Sequence, residues 1–92
     1  MELGTLQDRI RATYLDRDRS RGVDGTFRWL TEEVGELARA IRKGDRENLE
    51  VEFSDVLAWT ISLANLLDVD LEHVARRYAD GCPKCGGTPC RC

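Results

Sequence analysis

Apolar residues recur at helical spacing along most of the chain, in segments separated by glycines and short polar stretches. The first such segment covers about residues 3–19, and its other faces are heavily charged. Residues 20–25 break the pattern with two glycines and predict a loop. A second predicted helix runs from about residue 26 to residue 43, where Gly44 favours the left-handed conformation that ends a helix.

Two further helices follow with short connections between them. Asp45 is a candidate N-cap for a third helix that continues through residue 67, and a fourth extends from Asp70 to about residue 80. No segment has the period of two that is typical of a β-strand. Because short connections fold neighbouring helices back on each other, the sequence predicts an all-α fold. We expect a compact antiparallel four-helix bundle over residues 1–80, followed by a short tail over residues 81–92.

Composition and charge narrow the functional classes. The 92 residues carry 17 acidic and 14 basic side chains, for a net charge of −3. A nucleic-acid-binding protein needs an uncompensated basic face, so we expect no nucleic-acid partner. The sequence has neither a membrane-spanning apolar stretch nor the pattern of a signal peptide, which predicts no membrane association and a cytoplasmic location. A chain this short buries only roughly 60% of its unfolded surface, which favours a homodimer or a homotetramer.

Two pairs of carboxylates fall on the apolar sides of their predicted helices. At about 100° per residue, Glu52 and Asp55 lie roughly 60° apart, on the arc that carries the bulkiest apolar residues of the third helix. Glu33 and Glu36 repeat this arrangement on the second helix. Acidic pairs that face solvent should lie opposite the apolar residues instead. These four side chains are therefore predicted to point inward.

Buried carboxylates need a positive partner, since an uncompensated buried charge is very costly. Magnesium or manganese suits an all-oxygen ligand set and leaves coordination positions for phosphate oxygens. Spacing of i to i+3 lets two carboxylates of one helix reach the same ion. Two alternatives remain open: an ordinary solvated acidic face, and an oligomer interface in which arginines neutralise the acids.

The two acidic motifs also carry a family resemblance. Glu33-x-x-Glu36, followed after 15 residues by Glu52-x-x-Asp55, resembles the ExxE…ExxD signature of MazG-like and dimeric dUTPase enzymes. The similarity covers most of residues 8–80. It implies an enzyme that hydrolyses nucleoside triphosphates to the monophosphate and pyrophosphate, with magnesium held by the four acids. Nucleotide-pool house-cleaning is the role that the resemblance leads us to expect. Glu36 is the expected catalytic base, with Glu33 as the second catalytic candidate.

Substrate-binding candidates come from the same helices. Trp29 and Trp59 each lie one turn from an acid and could stack on a nucleobase, with core packing as the alternative. Asn65 could contact a base or ribose, as the resemblance suggests, or form an interhelical hydrogen bond. Lys43 is a candidate for binding phosphate. Further basic candidates are Arg39, Arg46, Arg76 and Arg77.

All the cysteines lie in the last eleven residues, as Cys82-Pro-Lys-Cys85-Gly-Gly-Thr-Pro-Cys90-Arg-Cys92. A CPxCGG sequence is typical of a zinc knuckle, because its glycines allow backbone amides to approach the thiolates. Four thiolates complete a tetrahedral structural zinc site. A redox dithiol and a disordered tail are the alternatives.

Two other functions remain open. A phosphoribosyl-ATP pyrophosphohydrolase would use a similar helical scaffold and acidic cluster. A non-catalytic interaction module would use the helices and the zinc-binding tail to bind another protein. The first differs from a nucleoside triphosphate pyrophosphohydrolase in its substrate, and the second in lacking any need for magnesium.

Overall fold

The structure is a computed structural model that describes residues 1–92, and it contains helices and turns only. Helix α1 spans Leu3–Lys43, α2 spans Arg46–Leu66 and α3 spans Leu71–Ala75, with a 3-10 turn at Arg76–Tyr78 directly after α3. The predicted all-α class is confirmed. None of these helices combines the length and the apolar character that crossing a membrane requires.

Helix α1 consists of two helical halves that meet at a kink, where the sequence predicts two helices joined by a loop. Within α1 only Gly22 leaves the helical region, with φ 81° and ψ 172°. The predicted break between the first two helices is therefore present at Gly22, although it takes one residue rather than the whole of residues 20–25. Glycine adopts this positive φ without a steric penalty, so one position suffices to interrupt the helix.

Helices α1 and α2 pack against each other in antiparallel orientation. Gln7, near the start of α1, hydrogen-bonds to Asn65 at the end of α2. Further along α1, Trp29 stacks on Trp59, nearer the middle of α2. Helix α3 has only five residues and contacts α1. The structure therefore does not confirm the predicted four-helix bundle within one chain.

The ends of the helices follow the local sequence. Gly44 takes φ 73°, and its backbone N–H donates to the carbonyl of Ala40 at 2.9 Å. The Asp45 side chain accepts a hydrogen bond from the backbone N–H of Asn48, which caps α2. Asp70 caps α3 in the same way. The predicted stop at Gly44 and the predicted cap at Asp45 are present, and Asp70 marks the start of α3, where the fourth helix is predicted to begin.

The apolar core of the single chain is small. Nine residues are buried, and only Ala40, Ile61 and Ala64 among them are hydrophobic. The chain exposes 6901 Å², whereas a monomer of 10.4 kDa typically exposes about 5400 Å². Large apolar side chains stay exposed on both long helices, including Phe27, Val34, Ile41, Val51, Phe53 and Leu57.

Candidate active site

Three acidic side chains from the two long helices meet at one place. Glu33 on α1 and Glu52 and Asp55 on α2 each contribute a carboxylate oxygen, and these oxygens lie within 4.8 Å of one another. All three side chains are partly buried. The spacing of i to i+3 puts Glu52 and Asp55 on one side of α2, and antiparallel packing brings Glu33 against them.

The cluster has negative charge that the protein does not neutralise. Burial raises the pKa of Glu33 above its ordinary value of 4.5, and the charges of Asp55 and Glu52 raise the pKa further. None of the three acids forms an ion pair with a basic side chain. Glu52 also has a buried oxygen, Oε2, without a hydrogen-bond partner. Three hard oxygen donors with an unpaired buried atom suit a divalent cation such as magnesium.

The fourth predicted acid, Glu36, lies beside this cluster rather than within it. Its charge contributes to the raised pKa of Glu33, so the two carboxylates are close. The Glu36 side chain is 44% exposed, and Oε2 lies 4.0 Å from Nη1 of Arg39. A loose ion pair at an exposed position leaves this carboxylate available to solvent.

The two tryptophans pack on each other next to the acids. Their ring centroids are 5.8 Å apart and their planes differ by 11°, which is a stacked arrangement. The guanidinium carbon of Arg21 lies 4.6 Å from the ring centroid of Trp59. Trp29 remains about half exposed, while Trp59 is partly buried. Stacking with Trp29 and a cation–π contact with Arg21 fix the Trp59 ring in place.

A cavity of about 230 Å³ adjoins the acidic cluster. Asp55 belongs to both, and Trp59 forms part of the cavity wall. The first half of α1 contributes the other charged groups. The complete lining consists of Tyr14, Arg17, Asp18, Arg21, Asp55, Ala58, Trp59 and Ser62.

The α1 residues of this cavity are absent from the sequence-based predictions. A signal for them exists, since Ile10 and Tyr14 belong to the helical stripe that predicts the first helix. Continuing that stripe at helical spacing leads to Arg17, Asp18 and Arg21. Their charges make them look like part of a solvated face, although Asp18 is almost fully buried.

The remaining predicted substrate-binding residues lie away from the cavity lining. Asn65 is buried, and its Oδ1 accepts a hydrogen bond of 3.0 Å from Nε2 of Gln7. Gln7 also donates to the carbonyl of Val69 and accepts from the N–H of Leu71, so this network joins α1, α2 and α3. Lys43 is exposed in the last turn of α1. Their roles in binding substrate stay predictions.

The four cysteines converge in the tail. Their sulfur atoms lie within 4.8 Å of one another, with Cys82 and Cys92 at 3.7 Å and Cys85 and Cys90 at 3.9 Å. Sulfur atoms about 2.3 Å from a tetrahedral zinc ion are about 3.8 Å apart, so the arrangement has the dimensions of a zinc site. No disulfide is present.

Backbone amides stabilise the charged form of two thiols. The N–H groups of Arg91 and Gly87 donate to Sγ of Cys85 at 3.2 and 3.4 Å, and lower the pKa of Cys85 to about 6. Backbone hydrogen bonds likewise lower the pKa of Cys82. Thiolates are the form that binds zinc, so the loop favours metal binding before any ion arrives.

A known family matches most of the chain. The family model for the MazG nucleotide pyrophosphohydrolase domain matches residues 21–84, a range that includes both acidic motifs and the two tryptophans. No curated protein matches the chain significantly. The match begins at Arg21, so three residues of the cavity lining, Tyr14, Arg17 and Asp18, lie outside it.

Proposed function

Because the chain belongs to the MazG nucleotide pyrophosphohydrolase family, we propose that it hydrolyses nucleoside triphosphates to the monophosphate and pyrophosphate in a magnesium-dependent reaction. Family membership supports a hydrolase that acts on phosphoric anhydrides. The observation that carries the magnesium dependence is the convergence of Glu33, Glu52 and Asp55 without a neutralising basic side chain. Removal of unwanted nucleotides from the cellular pool is the role we expect, on the basis of family resemblance.

Glu33, Glu52 and Asp55 hold the metal ion in this proposal. When bound, magnesium neutralises phosphate charge and lowers the pKa of water in its shell. Glu36 lies outside the three-acid cluster, and its exposed carboxylate is therefore free to accept a proton. It takes this proton from the attacking water as the water oxygen bonds to phosphorus and pyrophosphate departs.

The nucleoside occupies the cavity beside Asp55. Trp59 presents a fixed aromatic ring there, and Tyr14 supplies a second one. Because Asp55 belongs to both the cavity and the acidic cluster, a base in the cavity directs its phosphates toward the metal-binding oxygens. Arg17 at the cavity wall is placed to neutralise part of the phosphate charge.

The tail binds a structural zinc ion through Cys82, Cys85, Cys90 and Cys92. The spacing of the sulfur atoms and the amide hydrogen bonds to Cys85 support this assignment. Four thiolates leave no open coordination position, so this metal has no catalytic role.

The protein acts as a homo-oligomer, with a homodimer as the simplest form. Phe27, Val34 and Ile41 recur every seven residues and form one exposed apolar stripe along α1. Pairing the α1–α2 units of two chains buries this stripe and produces the four-helix bundle that one chain lacks. A homotetramer would bury more of the same surface.

A nucleotide panel tests the proposed activity. We expect pyrophosphate release from at least one nucleoside triphosphate with magnesium or manganese, and none with a chelator. Glu52→Gln and Asp55→Asn each remove a metal-binding oxygen and should lower kcat/KM at least about a hundredfold, since metal ions contribute several kcal/mol to such reactions. Glu50→Gln is the matched control, because Glu50 is an exposed residue of the same helix that pairs with Arg46.

Three results would contradict this proposal. Release of inorganic phosphate without pyrophosphate would show that the enzyme cleaves a different phosphoanhydride bond of the triphosphate. Turnover of phosphoribosyl-ATP but of no simple triphosphate would favour the phosphoribosyl-ATP enzyme. Absence of hydrolysis, together with a melting temperature that magnesium leaves unchanged, would favour a non-catalytic interaction module.

A further inference from the structure

Asp18 is a buried carboxylate for which the proposed reaction has no use. It is only 1% exposed although it lies on the charged first half of α1. Its Oδ1 accepts a hydrogen bond of 2.9 Å from Nη1 of Arg21. Its Oδ2 is buried and has no hydrogen-bond partner. Buried polar atoms are nearly always hydrogen-bonded, so an unpaired carboxylate oxygen indicates a missing donor.

A cavity next to Asp18 provides a place for the missing donor. Asp18 lines the cavity of about 230 Å³ that also includes Asp55 and Trp59. The terminal torsion of an aspartate is broad, so a small rotation presents Oδ2 to the cavity while Arg21 keeps its contact. A group that enters the cavity and carries an N–H or O–H therefore satisfies this oxygen.

The chemistry of the cavity selects the kind of donor. A phosphate group is excluded at Asp18 because it would bring two negative groups together. Ligand pockets commonly measure about 300–1000 Å³, so this cavity has room for part of a nucleotide rather than for all of it. The rings of Trp59 and Tyr14 form part of the cavity wall, and an aromatic wall suits a planar heterocycle.

We propose that Asp18 accepts a hydrogen bond from the exocyclic amino group of the substrate's nucleobase, so that the enzyme prefers amino-bearing bases to their oxo counterparts. This inference rests on the proposed function, since it describes the substrate of the same site. An amino group donates to Oδ2, whereas a carbonyl at the same position turns its lone pairs toward a carboxylate. The oxo base then leaves the buried oxygen unpaired, which weakens its binding.

Arg21 is a positioning residue in this arrangement. It contacts Asp18 through Nη1, lies 3.4 Å from the Thr26 hydroxyl and stacks over Trp59. These contacts hold the carboxylate and the aromatic ring in a fixed relation. The cavity thus combines an aromatic wall and a hydrogen-bond acceptor that one arginine holds in place.

The test compares pairs of substrates that differ in one functional group. With wild-type protein and magnesium, kcat/KM is measured for dCTP against dUTP and for dATP against dITP. If the enzyme hydrolyses pyrimidine nucleotides, we expect kcat/KM for dCTP to exceed that for dUTP about tenfold or more, and if it hydrolyses purine nucleotides, we expect the same of dATP over dITP. A ratio of this size corresponds to the loss of one hydrogen bond to a charged group. Equal values for both members of each pair would overturn the proposal.

Variants assign the preference to Asp18. Asp18→Asn replaces one acceptor oxygen by an N–H donor, so the preference should disappear or reverse in favour of the oxo base. Asp16→Asn is the matched control, because Asp16 is exposed on the same helix and does not line the cavity. A well-folded Asp18→Asn protein that loses activity equally toward both members would overturn the proposal and assign Asp18 to metal binding or folding. If Asp18→Asn does not fold, the wild-type comparison decides alone.

A binding measurement separates this inference from the proposed activity. Tryptophan fluorescence of the wild-type protein is titrated with cytidine and uridine, and with adenosine and inosine. If no triphosphate is hydrolysed, the proposed function fails, and the nucleoside titrations still test the base contact. Tighter binding of the amino nucleosides, retained in Asp16→Asn and absent in Asp18→Asn, supports the contact. Indifference to the amino group overturns it.

Discussion

Glu33 is the acid of the site whose pKa is clearly raised by burial and by the negative charges around it. The carboxylates of Asp55 and Glu52 on the neighbouring helix and of Glu36 on the same helix each raise this pKa. Helical periodicity predicts which acids share a side of one helix, and Glu52 and Asp55 follow that prediction. It does not predict the rotation of one helix against another. Glu33 joins the cluster, whereas the Glu36 side chain lies beside it and is 44% exposed. Sequence spacing alone does not reveal this difference, because it depends on that rotation.

The raised pKa of Glu33 predicts how stability without metal depends on pH. The folded protein binds the Glu33 proton more tightly than the unfolded chain, so the stabilisation from this group is complete below about pH 4.5 and is lost as pH rises through the folded pKa. Glu33→Gln should therefore raise the free energy of unfolding at neutral pH, by less than about 1 kcal/mol because the site is partly exposed. Thermal unfolding in chelator from about pH 4 to about pH 8 measures this effect.

Glu32→Gln is the control for this measurement, since Glu32 is the exposed neighbour of Glu33. Its stability should follow that of the wild type at every pH. Magnesium should raise the melting temperature of the wild type more than that of Glu33→Gln. A Glu33→Gln protein that is less stable than the wild type in chelator would mean that Glu33 has a stabilising partner within the protein.

At the scale of elements, local signals predict where helices end or bend better than they predict the length of a connection. Gly44, Asp45 and Asp70 act through hydrogen bonds to residues a few positions away, and all three behave as predicted. Gly22 lies within the predicted break and forms the kink between the two helical halves of α1, so the position of the break is predicted and its length is not. The choice between an interruption and a loop depends on packing against α2, which lies far away in the sequence.

The tail is the element in which we expect the sharpest dependence on metal. The hydrogen bonds of the tail lie within residues 78–92; for example, the N–H of Gly86 donates to the carbonyl of Cys82, and the N–H of Cys82 donates to the carbonyl of Gly87. We expect one zinc ion per chain by elemental analysis, lost in Cys85→Ser and kept in the neighbouring control Lys84→Ala. Because the cysteines bind zinc as thiolates, zinc retention should fall as the pH is lowered and protons compete for the sulfur atoms.

Zinc removal should leave the long helices intact. The expected result is a far-UV circular dichroism signal that chelator barely changes, together with cysteines that become reactive toward alkylating reagents. Loss of the helical signal on chelation would show that the tail supports the fold of α1 and α2. A protein with no zinc and four freely reactive thiols would exclude the structural zinc site.

At the scale of the whole molecule, the chain is extended for its length. Its radius of gyration is 15.3 Å, against about 12 Å for a compact domain of this size. Chain length alone predicts a small hydrophobic core, and the structure has just three buried hydrophobic residues. The sequence does not reveal which apolar residues lack a neighbour, because the same periodicity describes a core face and an interface. The exposed stripe of Phe27, Val34 and Ile41 is visible only once α2 is in place.

This unburied stripe predicts a dimer whose stability depends on protein concentration. Val34→Glu places a charge in the middle of the stripe, so sedimentation should show a monomer where the wild type is dimeric at micromolar concentration. The wild-type melting temperature should rise with protein concentration, and that of Val34→Glu should not. Val74→Glu is the control, since Val74 is similarly exposed but lies on α3, away from the stripe. A wild-type protein that sediments as a monomer and melts at a concentration-independent temperature would contradict the dimer, and would require α1 and α2 to be stable with their apolar faces in water.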